Sequence, residues 1–210
     1  TTEKKGRGLF ALNDIPAGTV IGDYLGNVMR PKDDDDLIEG LYGLTAHETY
    51  TFYPDIPSTG LHCINHSCMA NCAMYPDRGH MLYICLRRIL KGEELTVSYM
   101  VEPDLDSVGP TYPCYCNTPL CHGSMIISWE QSHAFWDVFV KQKMGNYYNH
   151  LDVQYGQQLP KLPSYPTAVE DELVYDMFGA LGYDAFEYSE KLFPSQSEIW
   201  ALLRVTGRCI

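Results

Sequence analysis

Ile64-Asn65-His66-Ser67-Cys68 is the stretch on which the reading of this chain turns. It sets a carboxamide, an imidazole, a hydroxyl and a thiol in consecutive positions behind an apolar residue. A carboxamide and main chain in fixed geometry can pair with the donor and acceptor edge of adenine, or hold a charged aminoacyl group. In isolation the tripeptide Asn-His-Ser reads equally as a turn closed by its own hydrogen bonds. Two further strings follow it. Glu94-Leu95-Thr96-Val97-Ser98-Tyr99 is β-prone and ends in a tyrosine, and Cys114-Tyr115-Cys116 precedes Cys121 after a gap of four residues.

Outward from these strings, the chain is patterned as short strands. Val20 to Val28, Tyr50-Thr51-Phe52-Tyr53, Met81 to Leu86 and Leu95 to Tyr99 are rich in β-branched and aromatic residues. Turns rich in glycine and proline separate them, as at Ile15-Pro16-Ala17-Gly18 and Leu90-Lys91-Gly92-Glu93. The character changes after residue 125. Phe135, Trp136, Phe139, Val140 and Met144 recur at helical steps between Trp129 and Tyr148. Leu159 to Pro166 reads as a linker. Thr167 with Glu170, and Ser195 with Glu198, make capping-box starts for two further helices. The prediction is a β-rich α+β body followed by a helical unit.

The 210 residues carry 27 Asp and Glu against 15 Lys and Arg, a formal charge of -12. Direct binding to nucleic acid needs the opposite balance. An acidic surface favours cationic partners such as a lysine-rich peptide. No stretch approaches the ~18 apolar residues of a membrane span. Eight cysteines in a chain this long point to reduced or metal-bound thiols and an intracellular setting rather than a disulfide scaffold.

Zinc takes four thiolate or imidazole ligands in a tetrahedron. Cys114, Cys116 and Cys121 offer three. The fourth ligand is open between a distant cysteine and His122, and a disulfide within the cluster is the alternative to metal. Cys63, Cys72, Cys85 and Cys209 read as small buried apolar residues or free thiols.

In this order, the three strings resemble the signature of the SET-domain protein lysine methyltransferases, which move a methyl group from S-adenosylmethionine to a lysine amine. Lys5-Gly6-Arg7-Gly8-Leu9-Phe10 is similar to the family's opening glycine loop. Ile15 to Ile21 and Asp23-Tyr24-Leu25-Gly26 follow it as the family's next elements do. The resemblance covers roughly residues 5 to 125. It implies a SET fold in which the chain threads under itself near Asn65-His66, a knot-like exception to ordinary topology. It divides the chain into a SET domain (1–112), a post-SET zinc-binding segment (113–128) and an uncovered C-terminal helical unit (129–210).

The resemblance also implies roles. Gly6, Arg7 and Gly8 would line the methionine end of S-adenosylmethionine, with Tyr50, Asn65 and His66 completing its site and Met125 against adenine. Cys68 would join Cys114, Cys116 and Cys121 around zinc, and Tyr99 would be the catalytic residue. Tyr24, Tyr53 and Tyr83 are unassigned candidates for the wall of a lysine channel. The implied substrate is a lysine in a basic protein or peptide, such as a histone tail, with neither nucleic acid nor membrane as direct partner. In a eukaryote the implied location is the nucleus.

Two positions depart from the family pattern. His62 stands where the family usually has arginine, and Val97 where many members carry an aromatic residue. The rival expectation is a catalytically silent module that binds peptide or cofactor. A zinc hydrolase fits less well, because an all-thiol site leaves no open coordination position.

Overall fold

A computed structural model describes residues 4–30, 42–47, 50–55, 57–77, 80–103, 112–119, 121–133 and 155–159. In chain order the strands are β1 (Val20–Asp23), β2 (Asn27–Met29), β3 (Leu44–His47) and β4 (Tyr50–Tyr53). They continue as β5 (Asn65–His66), β6 (Cys72–Asp77), β7 (His80–Cys85) and β8 (Thr96–Val97). The described helical structure is one 3-10 turn, Leu61–Cys63, and a helical start at residues 129–133. The β-rich body is therefore as expected.

The apolar run at Met81 to Leu86 becomes β7, the central strand of the antiparallel sheet β1-β7-β6. All six of its residues are buried. A strand covered on both faces loses the apolar–polar alternation of a half-exposed one. β6 pairs with β7 along its whole length, from Cys72 opposite Cys85 to Asp77 opposite His80. It contains Pro76, which a strand tolerates at a sheet edge because the missing N–H can face outward. A buried hydrogen bond, His80 Nδ1 to Asp23 Oδ2 at 2.6 Å, ties β7 to β1.

The second sheet, β2-β4-β3, is also antiparallel. Phe52 of β4 and Val28 of β2 are essentially fully buried, and they join Leu82, Ile84, Ile89 and Val97 in one core. Each such side chain contributes about 1.5–3 kcal/mol by leaving water. Leu159, read from sequence as the start of a linker, belongs to this core. It is 5% exposed and its N–H donates to the Gly26 carbonyl at 2.9 Å. Chain near residue 158 thus pairs with Asn27, a return that a proline-rich stretch does not announce.

Gly26 passes against the end of β4. A Cβ there would lie 2.5 Å from the Tyr53 carbonyl oxygen and 2.9 Å from Pro54 N, both main-chain atoms. Backbone cannot move aside as a side chain can. Gly26→Ala is expected to lower stability by about 3 kcal/mol, read as a lower midpoint in urea unfolding. An unchanged midpoint would mean that the chain entering β2 does not run this close to the end of β4.

β5 and β8 form a parallel pair, Asn65 with Thr96 and His66 with Val97. Parallel pairing this short needs outside support, and Asn71 supplies it. Its Nδ2 donates to the Glu94 carbonyl and its Oδ1 accepts from Thr96 N–H, both at 2.8 Å. On the other side, Leu95 N–H donates to Leu9 O and Ala11 N–H to Glu93 O. The segment before Tyr99 is therefore gripped between residues 9–11, which follow the glycine loop, and β5, which is the local structure at the expected crossing.

Of the C-terminal unit, residues 134–154 and 160–210 lie outside the described residues, and with them both capping boxes, most of the linker and Cys209. The helix expected from Trp129 does begin there. Gln131 N–H donates to Ser128 Oγ (3.1 Å) and Ser128 N–H to Gln131 Oε1 (3.0 Å), a reciprocal cap.

Candidate functional site

The two halves of the central string meet different neighbours. Asn65 is 7% exposed, and its Nδ2 donates to the Arg7 carbonyl (2.9 Å) and to Glu94 Oε1 (2.7 Å). This joins the glycine loop, the central string and the tyrosine string at one side chain. Gly6 takes a left-handed conformation, φ +71°, which glycine adopts without strain. Gly8 is pressed onto the pair beneath it, so that a Cβ would lie 2.9 Å from Glu94 Oε1 and 3.0 Å from Asn65 Nδ2. The Arg7 guanidinium donates to Ser58 O at 2.8 Å and lies 5.8 Å from the Tyr42 ring, so its head is turned onto those two neighbours.

His66 faces the other way. Tyr99 N–H donates to its Nδ1 at 3.1 Å, so that nitrogen carries no proton. The proton must then be on Nε2, which lies 3.6 Å from Cys68 Sγ and donates to it. Burial, followed by the nearby His122 and Lys5, pulls the His66 pKa down to about 4. The ring is neutral at pH 7 and spans the gap between the tyrosine main chain and a thiol.

Cys68, Cys114, Cys116 and Cys121 converge. Their four sulfurs all lie within 4.8 Å of one another, and Cys68 and Cys114 are 3.6 Å apart. Four sulfurs at ~2.3 Å from a tetrahedral zinc would stand ~3.8 Å apart, so the cluster fits that ion with slight contraction. The thiols also perturb one another. Burial pushes Cys68 up to about 11. Burial opposes ionisation of Cys116 as well, but hydrogen bonds from Thr118 and from Cys68 and Cys114 outweigh it and bring that thiol down to about 6. Four thiolates this close need a cation between them. His122, the alternative ligand, is not in the four-residue group, and Cys63, Cys72 and Cys85 are buried free thiols elsewhere.

Tyr99 leaves β8 with its ring edge-on to His66, centroids 5.5 Å apart. The side chain is 40% exposed, yet its hydroxyl donates to the Ile64 carbonyl at 2.9 Å, immediately before Asn65. Burial of the hydroxyl end, then the neighbouring Tyr42, pushes its pKa up to about 12. The phenol is neutral at pH 7, its proton is committed, and its oxygen keeps lone pairs for another partner.

Further phenols share this region. Tyr24 and Tyr83 stack with centroids 6.3 Å apart. Burial and then Tyr99 raise the pKa of Tyr24, and burial, then Tyr24 and Tyr99, raise that of Tyr83. Tyr24 donates its hydroxyl proton to the Tyr42 carbonyl. Tyr42 is held at φ 69°, a conformation that costs a bulky residue roughly 1 kcal/mol or more. Tyr53 lies against Gly43 instead. For Tyr50 the described structure gives its strand position only.

A small open cleft is lined by His66, Cys68, Ser98, His122, Met125 and Gln131. Met125 packs against the thiol cluster as well as facing the cleft. Glu94, Tyr42 and Asn71 were not singled out from sequence. Their partners lie 18 residues away or farther, and no local spacing marks them.

Residues 6–100 match the profile of the SET domain. A fission yeast (Schizosaccharomyces pombe) protein named histone-lysine N-methyltransferase, H3 lysine-36 specific, is 35% identical over 136 residues, covering 58% of this chain and 16% of that protein. Human histone-lysine N-methyltransferase 2B is 33% identical over 128 residues, covering 55% of this chain and 5% of that protein. A solved structure, KRYPTONITE in complex with mCHG DNA and SAH, is 26% identical with a TM-score of 0.48, covering 59% of this chain and 27% of that one. The chain thus spans less than a fifth of the length of these curated relatives.

Proposed function

From the match of residues 6–100 to the SET domain profile, we propose that the chain is an S-adenosylmethionine-dependent protein lysine N-methyltransferase acting on a basic protein tail. One observation carries the proposal: the Tyr99 hydroxyl is held by Ile64, directly before the Asn65-His66 pair that the glycine loop covers. The nearby phenols Tyr24, Tyr42 and Tyr83 support a channel suited to a lysine side chain. The names of the relatives support histone as the substrate class, and with it a nuclear setting in a eukaryotic cell. The acidic balance of the chain supports a cationic target.

Methyl transfer from a sulfonium to an amine is an in-line displacement, so positioning and exclusion of water do most of the work. S-adenosylmethionine would supply the methyl group. Gly6, Arg7 and Gly8 would receive its aminoacyl end by main chain, and Asn65 would hold it by its carboxamide. His66 would take part through its main chain because both ring nitrogens are engaged elsewhere, and Met125 would cover its adenine. A lysine with an ordinary pKa of ~10.4 must arrive uncharged. An apolar, phenol-lined channel penalises the cation and lowers that value. Tyr99 offers the amine an oxygen whose own proton is committed, which orients the nitrogen and favours developing charge beside the methyl group. Zinc held by Cys68, Cys114, Cys116 and Cys121 would close the site structurally, with no free position for chemistry.

The test is transfer of labelled methyl from the cofactor to a panel of basic proteins. Label on lysine supports the enzyme. Cofactor binding without any transfer would favour the silent module.

A further inference from the structure

Glu94 has no part in the reaction described above, yet it stands where the strings of the site meet. Its Oε2 lies 2.6 Å from Lys5 Nζ and its Oε1 accepts from Asn65 Nδ2 at 2.7 Å. The two charged side chains are 10% and 15% exposed, and 89 residues of sequence separate them. The second Asn65 amide proton goes to the Arg7 carbonyl.

These contacts decide which way the carboxamide points. Were it turned over, its oxygen would face a carboxylate oxygen and a carbonyl oxygen at hydrogen-bond distance, and both bonds would become repulsions. Nδ2 is therefore committed to the protein. Oδ1 is the atom of this carboxamide left to a ligand, and it is an acceptor. A charge-assisted bond at the nitrogen polarises the amide and makes that oxygen a better partner for a cation. Lys5 balances the carboxylate, so the polarisation comes without an unpaired negative charge. Gly8 closes over the arrangement with no room for a Cβ.

We propose that Glu94, clamped by Lys5, is a positioning residue that locks the Asn65 carboxamide with its oxygen outward, as acceptor for the ammonium of the cofactor's aminoacyl end. The inference rests on the cofactor reading above and deepens it.

Calorimetry of the full chain with S-adenosylhomocysteine and with its deaminated analogue, in which the ammonium is replaced by hydrogen, tests it. Glu94→Gln keeps the shape but removes the charge and sets an amide against the Lys5 ammonium. The expected result is a fall of about tenfold in affinity for S-adenosylhomocysteine with less than about twofold for the deaminated analogue. A residue that only supports the fold would weaken both ligands alike. An equal loss for the two, or none for either, overturns the proposal. Lys5→Met leaves the carboxylate in place, is expected to give the same split with a smaller fall, and decides the matter should Glu94→Gln not fold. Wild-type protein that binds neither ligand overturns the cofactor reading itself, a result distinct from an unselective Glu94 variant.

Discussion

Tyr99→Phe is expected to slow methyl transfer by about 10²–10³-fold while leaving affinity for S-adenosylhomocysteine within about twofold. The variant keeps the ring, its edge-on contact with His66 and the main-chain N–H that His66 Nδ1 accepts. What it loses is the hydroxyl between the Ile64 carbonyl and the incoming amine. Single-turnover transfer and calorimetry separate the two quantities. A rate unchanged in Tyr99→Phe would remove the phenol from the reaction. A parallel collapse of cofactor affinity would mean that the side chain builds the site rather than acting in it. Because its pKa is pushed up to about 12, Tyr99 stays protonated through pH 10. The rise of rate with pH below that point should then report the substrate amine and be the same in wild type and variant.

The second large effect is expected at the thiol cluster. Cys116→Ser should abolish stoichiometric zinc, measured by elemental analysis, and weaken cofactor binding by about tenfold or more. Structural zinc contributes roughly 10 kcal/mol of apparent binding free energy, and its thiolates share that. Cys116 itself lies in the cluster, packed with Cys121 and Met125. The route from the metal to the site would run through Cys68, which accepts a hydrogen bond from His66, whose other nitrogen holds Tyr99. A strong chelator should reproduce the variant's behaviour in the wild type. Full zinc content in Cys116→Ser would remove that residue from the ligand set. Zinc lost with cofactor affinity unchanged would show that the cluster and the site are independent.

What could be read from the chain beforehand follows from how local each requirement is. The Asn65-His66 string, the thiol cluster and the run through Tyr99 are contiguous, and each residue type in them is dictated by its chemistry. The strands at Tyr50 to Tyr53 and Met81 to Leu86 were legible because apolar and β-branched residues fill them. β6 was not, since Pro76 obscures a strand pattern until an edge position is known. Only Thr96 and Val97 of the expected Leu95–Tyr99 strand are strand, because Leu95 on one side is bonded to Leu9 and Tyr99 on the other to the side chain of His66. Glu94 and Lys5 were quoted within their strings without a role, and Tyr42 went unmarked. Their importance exists only once segments far apart in sequence are laid against one another. Tyr42 in particular owes its place to a backbone conformation that an aromatic residue does not advertise.

The spacing of the thiols also has a consequence in time. Cys68 is synthesised 46 residues ahead of Cys114, and β6, β7, β8 and Tyr99 all lie in between. On the ribosome, the emerging polypeptide can pair its early hairpins but cannot capture a metal ion across that interval. A nascent chain halted before Cys121 should therefore bind its cofactor weakly, and full affinity should arrive only after the fourth sulfur of the cluster has left the exit tunnel.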